Sequence, residues 1–128
     1  MKVLIDTHTM IWLDGVPSML STVAAAICVD PNNELIISMV SLWEIQIKLQ
    51  LGKLTLHSTL EGIVERQFMQ NRARLVSIEF EHVLELAKLP ALHRDPFDRM
   101  LIAQARVEQA VLLTKDAQLA QYPIQTIW

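Results

Sequence analysis

Short aliphatic runs alternate along the chain with longer amphipathic stretches, which is the pattern of strands alternating with helices. The first run, Val3-Leu4-Ile5, has consecutive aliphatic residues, as expected of a strand that is buried on both faces. The runs cover residues 2–5, 35–37, 74–78, 110–114 and 123–127. The last run contains a Pro, which an edge strand tolerates. This alternation predicts an α/β domain with a mainly parallel sheet.

Residues typical of helix ends lie between these runs. Ser41 and Glu44 form an S-x-x-E capping box for a helix that Gly52 closes. Asp95 is a predicted N-cap, because Pro96 after it suits the first helical position. The other helices are predicted at residues 7–13, 21–29, 59–71 and 80–87.

Length and composition favour one domain. The chain has 128 residues, of which 52% are hydrophobic, and this is enough for a real core. No internal repeat, low-complexity tract or linker divides it, so we expect a single domain over residues 1–128. Only 20% of the residues are charged, which hints at surface that is buried against a partner.

The charge balance limits how the chain can bind nucleic acid, and the cysteine content indicates its cellular compartment. There are 11 basic and 14 acidic residues, so the chain cannot hold nucleic acid by its overall charge alone. Cys28 is the only cysteine, which fits a reducing, cytoplasmic setting. The first residues resemble neither a signal peptide nor a membrane span, so no membrane association is expected.

Four acidic residues lie next to strongly apolar segments, where a folded domain has little structural need for a charge. Asp6 and Asp116 follow predicted strands, and the carboxyl ends of parallel strands meet at one edge of a sheet. Asp98 and Glu44 are each predicted at the third position of a helix, whose amino end can face that edge. Four converging carboxylates repel each other and attract a hard divalent cation such as Mg²⁺ or Mn²⁺.

A cation held in this way predicts phosphodiester hydrolysis. Carboxylate-bound Mg²⁺ can orient a water for in-line attack on phosphorus and stabilise the leaving oxygen. The cation would also neutralise the phosphate, which the acidic chain cannot do by itself. Arg94, Arg99 and Lys115 flank the acids and could hold neighbouring phosphates.

Four segments in this order resemble the motifs of PIN-domain ribonucleases, and more narrowly the toxins of VapBC-type toxin–antitoxin pairs. They are residues 4–8, 41–45, 93–105 and 112–116. The long segment around Asp98 is quite specific, whereas the others are weak signals alone. The resemblance covers the chain from Met1 to Trp128, although residues 52–74 match in length and pattern only.

The resemblance implies a Mg²⁺- or Mn²⁺-dependent endoribonuclease of three-layer α/β/α form. Such toxins act on RNA, are usually homodimers and are silenced by a cognate antitoxin. By motif position the catalytic and metal-binding acids would be Asp6, Glu44, Asp98 and, as a more variable fourth, Asp116. Thr7 and Thr114 match positions where the family often has a hydroxyl near the metal or its water. An antitoxin would lay an apolar helix in a groove near residues 40–51 and direct a basic side chain into the acidic site.

Plainer interpretations of the same residues stay open. Glu44 could serve only its capping box, and Asp116 could cap a short helix that begins near residue 117. Asp95 fits a helix cap better than a catalytic role. The four histidines lack metal-ligand spacing. Trp43 lies in an apolar helix and is expected in the core, although tryptophans can also stack on RNA bases.

Two other functions remain as alternatives. A noncatalytic RNA- or antitoxin-binding module could use the same acidic pocket without cleaving anything. A phosphatase that forms an aspartyl phosphate would also place an acid after the first strand, but it usually has a second acid two residues later, where this chain has His8. DNA is a possible substrate as well, because metal-dependent hydrolysis does not require a 2′-hydroxyl group.

Overall fold

Five strands form one sheet in the computed structural model, which describes residues 1–128. They are β1 (Lys2–Ile5), β2 (Glu34–Ser38), β3 (Arg74–Val76), β4 (Val111–Leu113) and β5 (Thr126–Ile127). The order across the sheet is β3-β2-β1-β4-β5, and every neighbouring pair is parallel. The segments that follow β1 and β4 therefore leave the sheet side by side at the same edge.

Six helices connect the strands. They are α1 (Thr7–Gly15), α2 (Thr22–Val29), α3 (Met39–Gln50), α4 (Leu60–Asn71), α5 (Phe80–Glu85) and α6 (Pro96–Glu108). Ser21 and Thr59 are N-caps, since Ser21 accepts a hydrogen bond from the backbone of α2 and Thr59 accepts one from the backbone of α4. Gly52 follows α3 with a φ of +67°, the left-handed conformation that a glycine adopts without strain. None of these helices combines the length and the apolarity needed to cross a bilayer.

The start of α3 differs from the prediction. The helix begins at Met39, and Ser38 is the N-cap, because its hydroxyl accepts a hydrogen bond from the Val40 amide. The predicted capping box of Ser41 and Glu44 is therefore wrong, since both residues lie inside the helix. Glu44 is consequently about a turn and a half from the helix start, where it is buried instead of lying at the amino end.

Apolar side chains cover both faces of the sheet. Successive residues of a strand point to opposite faces, so Leu4 packs in one cluster while Val3 and Ile5 pack in the other. The first cluster includes Leu101 and Ile102 of α6. The second includes residues of α1, α2 and α3, namely Met10, Ala24, Cys28 and Ile45. The fold is thus the predicted three-layer α/β/α arrangement, with a sheet that is parallel throughout.

Trp43 was expected in the core but is 55% exposed. The buried side of α3 is formed instead by Val40, Ser41, Glu44 and Ile45. Trp43 rests edge-on against Phe97 of α6, with ring centroids 5.0 Å apart. The apolar character of the helix did not show which of its residues faces inward.

A buried carboxylate joins α1 to α4. The side chain of Asp14 is 3% exposed and accepts two hydrogen bonds from Arg66, at 2.8 and 2.9 Å. His57, from the loop before α4, places its Nε2 2.6 Å from the same carboxylate. The hydrogen bonds from Arg66 outweigh burial and lower the pKa of Asp14. Gly15 leaves room for this loop, because a Cβ there would meet the His57 ring at 2.2 Å.

Candidate functional site

Asp6 lies directly after the central strand, and both of its carboxylate oxygens have a partner. Oδ1 accepts a hydrogen bond from the Thr9 amide at 2.7 Å, which makes Asp6 the N-cap of α1. Oδ2 accepts one from the hydroxyl of Thr114 at 2.5 Å. Asp6 is 7% exposed, so these bonds hold its carboxylate in one orientation at the edge of the sheet.

Thr114 also connects Asp6 to the fourth predicted acid. It follows β4, and its hydroxyl oxygen accepts a hydrogen bond from the Asp116 amide at 3.0 Å. The Asp116 side chain then accepts one from the Gln118 amide at 2.8 Å, within an exposed turn. The parallel pairing of β1 with β4 therefore brings Asp6 and Asp116 to the same edge, as their positions after strands predicted.

Glu44 is buried and lies between a hydroxyl and an ammonium group. The Thr7 hydroxyl donates to its Oε1 at 2.8 Å, and Lys48 Nζ lies 2.6 Å from its Oε2. Thr7 is also 3.0 Å from the hydroxyl of Ser41. A carboxylate only accepts and a hydroxyl has a single hydrogen, so the bond to Glu44 requires Ser41 to donate to Thr7. Lys48 follows Glu44 by one helical turn, and this spacing is a readable sequence signal for the pair.

Asp98 is at the third position of α6, as predicted. Asp95 is the N-cap and accepts hydrogen bonds from the amides of Phe97 and Asp98, which supports its structural role. Burial raises the pKa of the Asp98 carboxyl to about 6, and the negative charges of Asp95 and Glu44 add to the shift. A hydrogen bond from His93 opposes it. A cation at this position would favour the ionised carboxylate.

His93 is a site residue that its sequence position did not reveal. Its Nε2 lies 2.8 Å from Asp98 Oδ2, and ligand atoms of His93, Asp98 and Asp116 all lie within 4.8 Å of one another. The histidine comes from the loop before α6, five positions ahead of Asp98. Such a spacing has no helical or strand period, so only the folded loop brings the imidazole to the carboxylates.

Two of the three predicted phosphate-binding cations, Arg99 and Lys115, have different surroundings. Arg99 donates to the Pro90 carbonyl at 2.8 Å and to the Tyr122 hydroxyl at 3.2 Å, so its guanidinium is bound to neighbouring loops. The structure assigns it a role in packing and gives no support for a phosphate contact. Lys115 is exposed, and its Nζ lies 5.9 Å from the centroid of the Trp12 ring, beside Asp6 and Asp116.

The donor atoms at this edge suit a divalent cation. Asp98 and Asp116 bring carboxylate oxygens, which Mg²⁺ and Mn²⁺ prefer, within 4.8 Å of the His93 imidazole, which is compatible with Mn²⁺. This group does not include Asp6 or Glu44. The pKa of Asp98 is raised mainly by burial and then by the negative charges of Asp95 and Glu44, and a cation would offset both effects. The name acidic rim is used below for Asp6, Glu44, Asp98 and Asp116.

Comparisons with known proteins agree with this architecture. Residues 3–125 match the family model described as PIN domain. No curated protein matches the chain. Among solved structures, VapBC2 from Rickettsia felis, bound to a DNA fragment from its promoter, has a TM-score of 0.74 at 15% identity, covering 99% of this chain and 98% of that one.

Two further structures have the same fold. VapBC-1 from nontypeable Haemophilus influenzae has a TM-score of 0.64 at 18% identity, covering 99% of this chain and 97% of that one. FitAcB from Neisseria gonorrhoeae has a TM-score of 0.57 at 11% identity, with 98% and 96% covered. At such low identities these likenesses concern the fold, whereas the family match covers nearly the whole chain.

Proposed function

The chain belongs to the PIN domain family, and we propose that it is a metal-dependent endoribonuclease that acts as the toxin of a toxin–antitoxin pair. PIN domains are generally nucleases, and two of the structures with this fold are VapBC complexes. The observation that carries the proposal is the acidic rim, above all the cluster of Asp98 with Asp116 and His93. The side chain of Asp98 retains its negative charge there only at a cost, as its raised pKa shows.

In this proposal the four carboxylates of the acidic rim hold Mg²⁺ or Mn²⁺. When bound, the cation would neutralise the scissile phosphate and lower the pKa of a water for attack on phosphorus. Thr114 and Thr7 act on the carboxylates themselves, since their hydroxyls orient Asp6 and Glu44. His93 orients the carboxyl of Asp98, because its Nε2 forms a hydrogen bond with Asp98 Oδ2. Lys115 is the exposed cation beside the rim that can hold a neighbouring phosphate.

Metal removal tests the proposed reaction. We expect the purified, partner-free chain to cleave total RNA in Mg²⁺ or Mn²⁺ and to leave it intact in EDTA, because the acidic rim alone repels a phosphodiester. Gel electrophoresis of the RNA measures this, and a single-stranded DNA of the same length tests the preference for RNA. A chain that binds no Mn²⁺ by calorimetry and cleaves nothing in a broad RNA panel would favour the noncatalytic binding module instead.

The proposed antitoxin site is a groove between α3 and α4. It has a volume of about 750 Å³, and Leu42, Leu49, Leu60, Val64 and Phe68 supply its apolar surface. Glu61 and Glu65 also line it, so an apolar helix with basic flanks would match both its surface and its charge. The helix α3 also carries Glu44, but two positions separate it from Leu42 and from Gln46, so it lies on the side of α3 that faces away from the groove.

Light scattering measures the mass of the isolated chain and of its complex with the antitoxin. We expect the isolated chain to have twice the mass of one chain and to form a larger complex with its antitoxin. Phe68→Glu should weaken that complex by roughly 10-fold or more, because it puts a charge in an apolar groove. Phe80→Glu is the matched control, since Phe80 is an exposed phenylalanine on α5, outside the groove. A clean monomer at micromolar concentration would contradict the dimer, and equal losses in both variants would contradict the groove.

A cytoplasmic location completes the proposal. Cys28 is buried, and burial raises its pKa to about 11, so the thiol is unreactive and forms no disulfide within the chain. Cellular RNA, the proposed substrate, is present in the same compartment.

A further inference from the structure

A small cleft next to the acidic rim has an aromatic wall. It is lined by His8, Trp12 and Lys115 together with Asp6 and Asp116, and its volume is about 260 Å³. Two of its five residues are thus members of the acidic rim. A nucleotide chain whose phosphate lies at the rim would have its adjoining nucleotide within reach of this cleft.

Trp12 is held in place by its neighbours. The Trp128 ring packs against it edge-on, at 5.8 Å between centroids and an interplanar angle of 64°. The His8 ring lies 5.7 Å away, tilted by 41°. Trp12 and Trp128 are half-buried, whereas His8 is exposed. The indole is therefore a rigid platform, and His8 is a second ring at the open side.

Lys115 is the exposed cation of this group. Its ammonium lies over the Trp12 ring at 5.9 Å from the centroid, and the residue is exposed. A cation–π contact in solvent is weak compared with the stacking of a base on an aromatic side chain. A base can therefore replace the ammonium on the ring, and the released ammonium is then free to pair with a phosphate.

From these contacts we propose that the cleft binds one unpaired nucleobase of the substrate strand. The base stacks on Trp12 and contacts His8, and Lys115 binds the phosphate of the same nucleotide. The cleft favours a nucleotide over a simple anion, because Asp6 and Asp116 repel an anion while the aromatic rings attract a base. Stacking does not read hydrogen-bonding edges, so the subsite tolerates any base but requires a single strand. This inference rests on the proposed function, since the acidic rim must meet the strand.

Base stacking can be tested without cleavage. A hexamer of uridylate carrying 2-aminopurine at one position is titrated with the wild-type chain in Ca²⁺, a divalent cation that also takes oxygen ligands, once for each of the six positions. Gel electrophoresis verifies that the hexamer stays intact. Stacking quenches 2-aminopurine fluorescence, so we expect strong quenching at one position or two adjacent positions. A second hexamer with an abasic nucleotide at the quenched position keeps every phosphate and should bind about tenfold more weakly.

Variants assign the effect to the cleft. Trp12→Leu should remove the quenching and weaken binding about tenfold, whereas Trp12→Phe should keep most of both, because a phenyl ring still stacks. Trp43→Leu is the matched control at an exposed tryptophan outside the cleft and should change neither. Lys115→Gln should lower the slope of log Kd against log salt concentration by about 0.7, the value for one lost phosphate contact on a single strand.

The proposal is overturned if no position quenches, if the abasic hexamer binds as well as the intact one, or if Trp12→Leu and Trp43→Leu act alike. Circular dichroism checks that Trp12→Leu is folded. If Trp12→Leu is unfolded, quenching and binding by Trp12→Phe test the stacking instead. These readouts need no turnover. If the chain stacks a base but cleaves no RNA, the base subsite is supported and the proposed nuclease function is contradicted. If the chain cleaves RNA but binds the abasic hexamer as well as the intact one, the nuclease function is supported and the base subsite is contradicted.

Discussion

Asp98→Asn is expected to abolish metal-dependent RNA cleavage while the chain stays folded. Asparagine has the shape of aspartate and can still bond His93, but it brings no negative charge to a cation. We expect kcat/KM to fall by roughly 100-fold or more, since disturbing even the groups around metal ligands costs 10–100-fold. A fluorogenic RNA assay in Mg²⁺ measures the loss, and calorimetry with Mn²⁺ should show weakened binding.

The same variant should be more stable than the wild type without metal. The pKa of Asp98 is about 6 in the fold against 3.8 as the reference value, so the fold disfavours the ionised carboxylate. Below about pH 4 the carboxyl is protonated in both states and costs nothing. The cost grows between about pH 4 and pH 6 and is complete above that. Asp98→Asn should therefore gain about 2–3 kcal/mol in unfolding free energy at pH 8 and very little at pH 3.

Asp95→Asn is the matched control for both measurements. It makes the same chemical change three positions earlier, where asparagine is an equally good N-cap. We expect cleavage within a few-fold of the wild type. If Asp98→Asn cleaves RNA as fast as the wild type, or if both variants lose the same activity, Asp98 has no specific role in the proposed site.

Asp14→Ala is expected to have the largest effect on stability outside the core. It leaves the guanidinium of Arg66 without its two hydrogen bonds and His57 without its partner. Breaking a buried ion pair costs about 3–5 kcal/mol, but both partners are partly exposed, so we expect about 2 kcal/mol from urea unfolding at pH 7. Asp30→Ala changes an exposed carboxylate in a turn and should cost less than about 1 kcal/mol.

The pH dependence of this loss has a definite sign. The pKa of Asp14 is lowered in the fold, so its stabilisation is present above the unfolded value near 3.8 and is lost as the pH falls through the folded value. The difference between wild type and Asp14→Ala should therefore shrink in acid. An undiminished difference at pH 2 would mean that packing around the side chain, and not its charge, provides the stability. Because Asp14 holds α4, the variant should also weaken antitoxin binding in the groove.

Much of the fold could be predicted because the signal lies in local composition. Strands buried on both faces need continuous apolar residues, and β1, β2 and β4 carry them at the predicted places. The capping box at Ser41 failed for a local reason too, since Ser38 at the end of β2 offers the same hydroxyl and comes first. A pattern of single residues cannot distinguish two serines that are both able to cap one helix.

The acidic rim was only partly predictable. Asp6 and Asp116 follow strands, and parallel pairing makes their convergence a matter of topology. The partners of these acids depend on contacts between distant segments, which sequence spacing does not encode. The hydroxyl of Thr114 meets Asp6 across the sheet, and Arg99 turns to the Pro90 carbonyl instead of to the rim. His93 depends on the path of a single loop.

The central place of β1 has a consequence for how the protein is made. Asp6 receives one of its two hydrogen bonds from a residue 108 positions later, and β4 can pair with β1 only after everything between them has been synthesised. A growing chain on the ribosome therefore lacks both Asp116 and the hydroxyl that orients Asp6 until its last strands emerge. Contacts this distant also form slowly. We expect the nascent protein to be harmless to the RNA around it until β4 and the turn after it have left the ribosome.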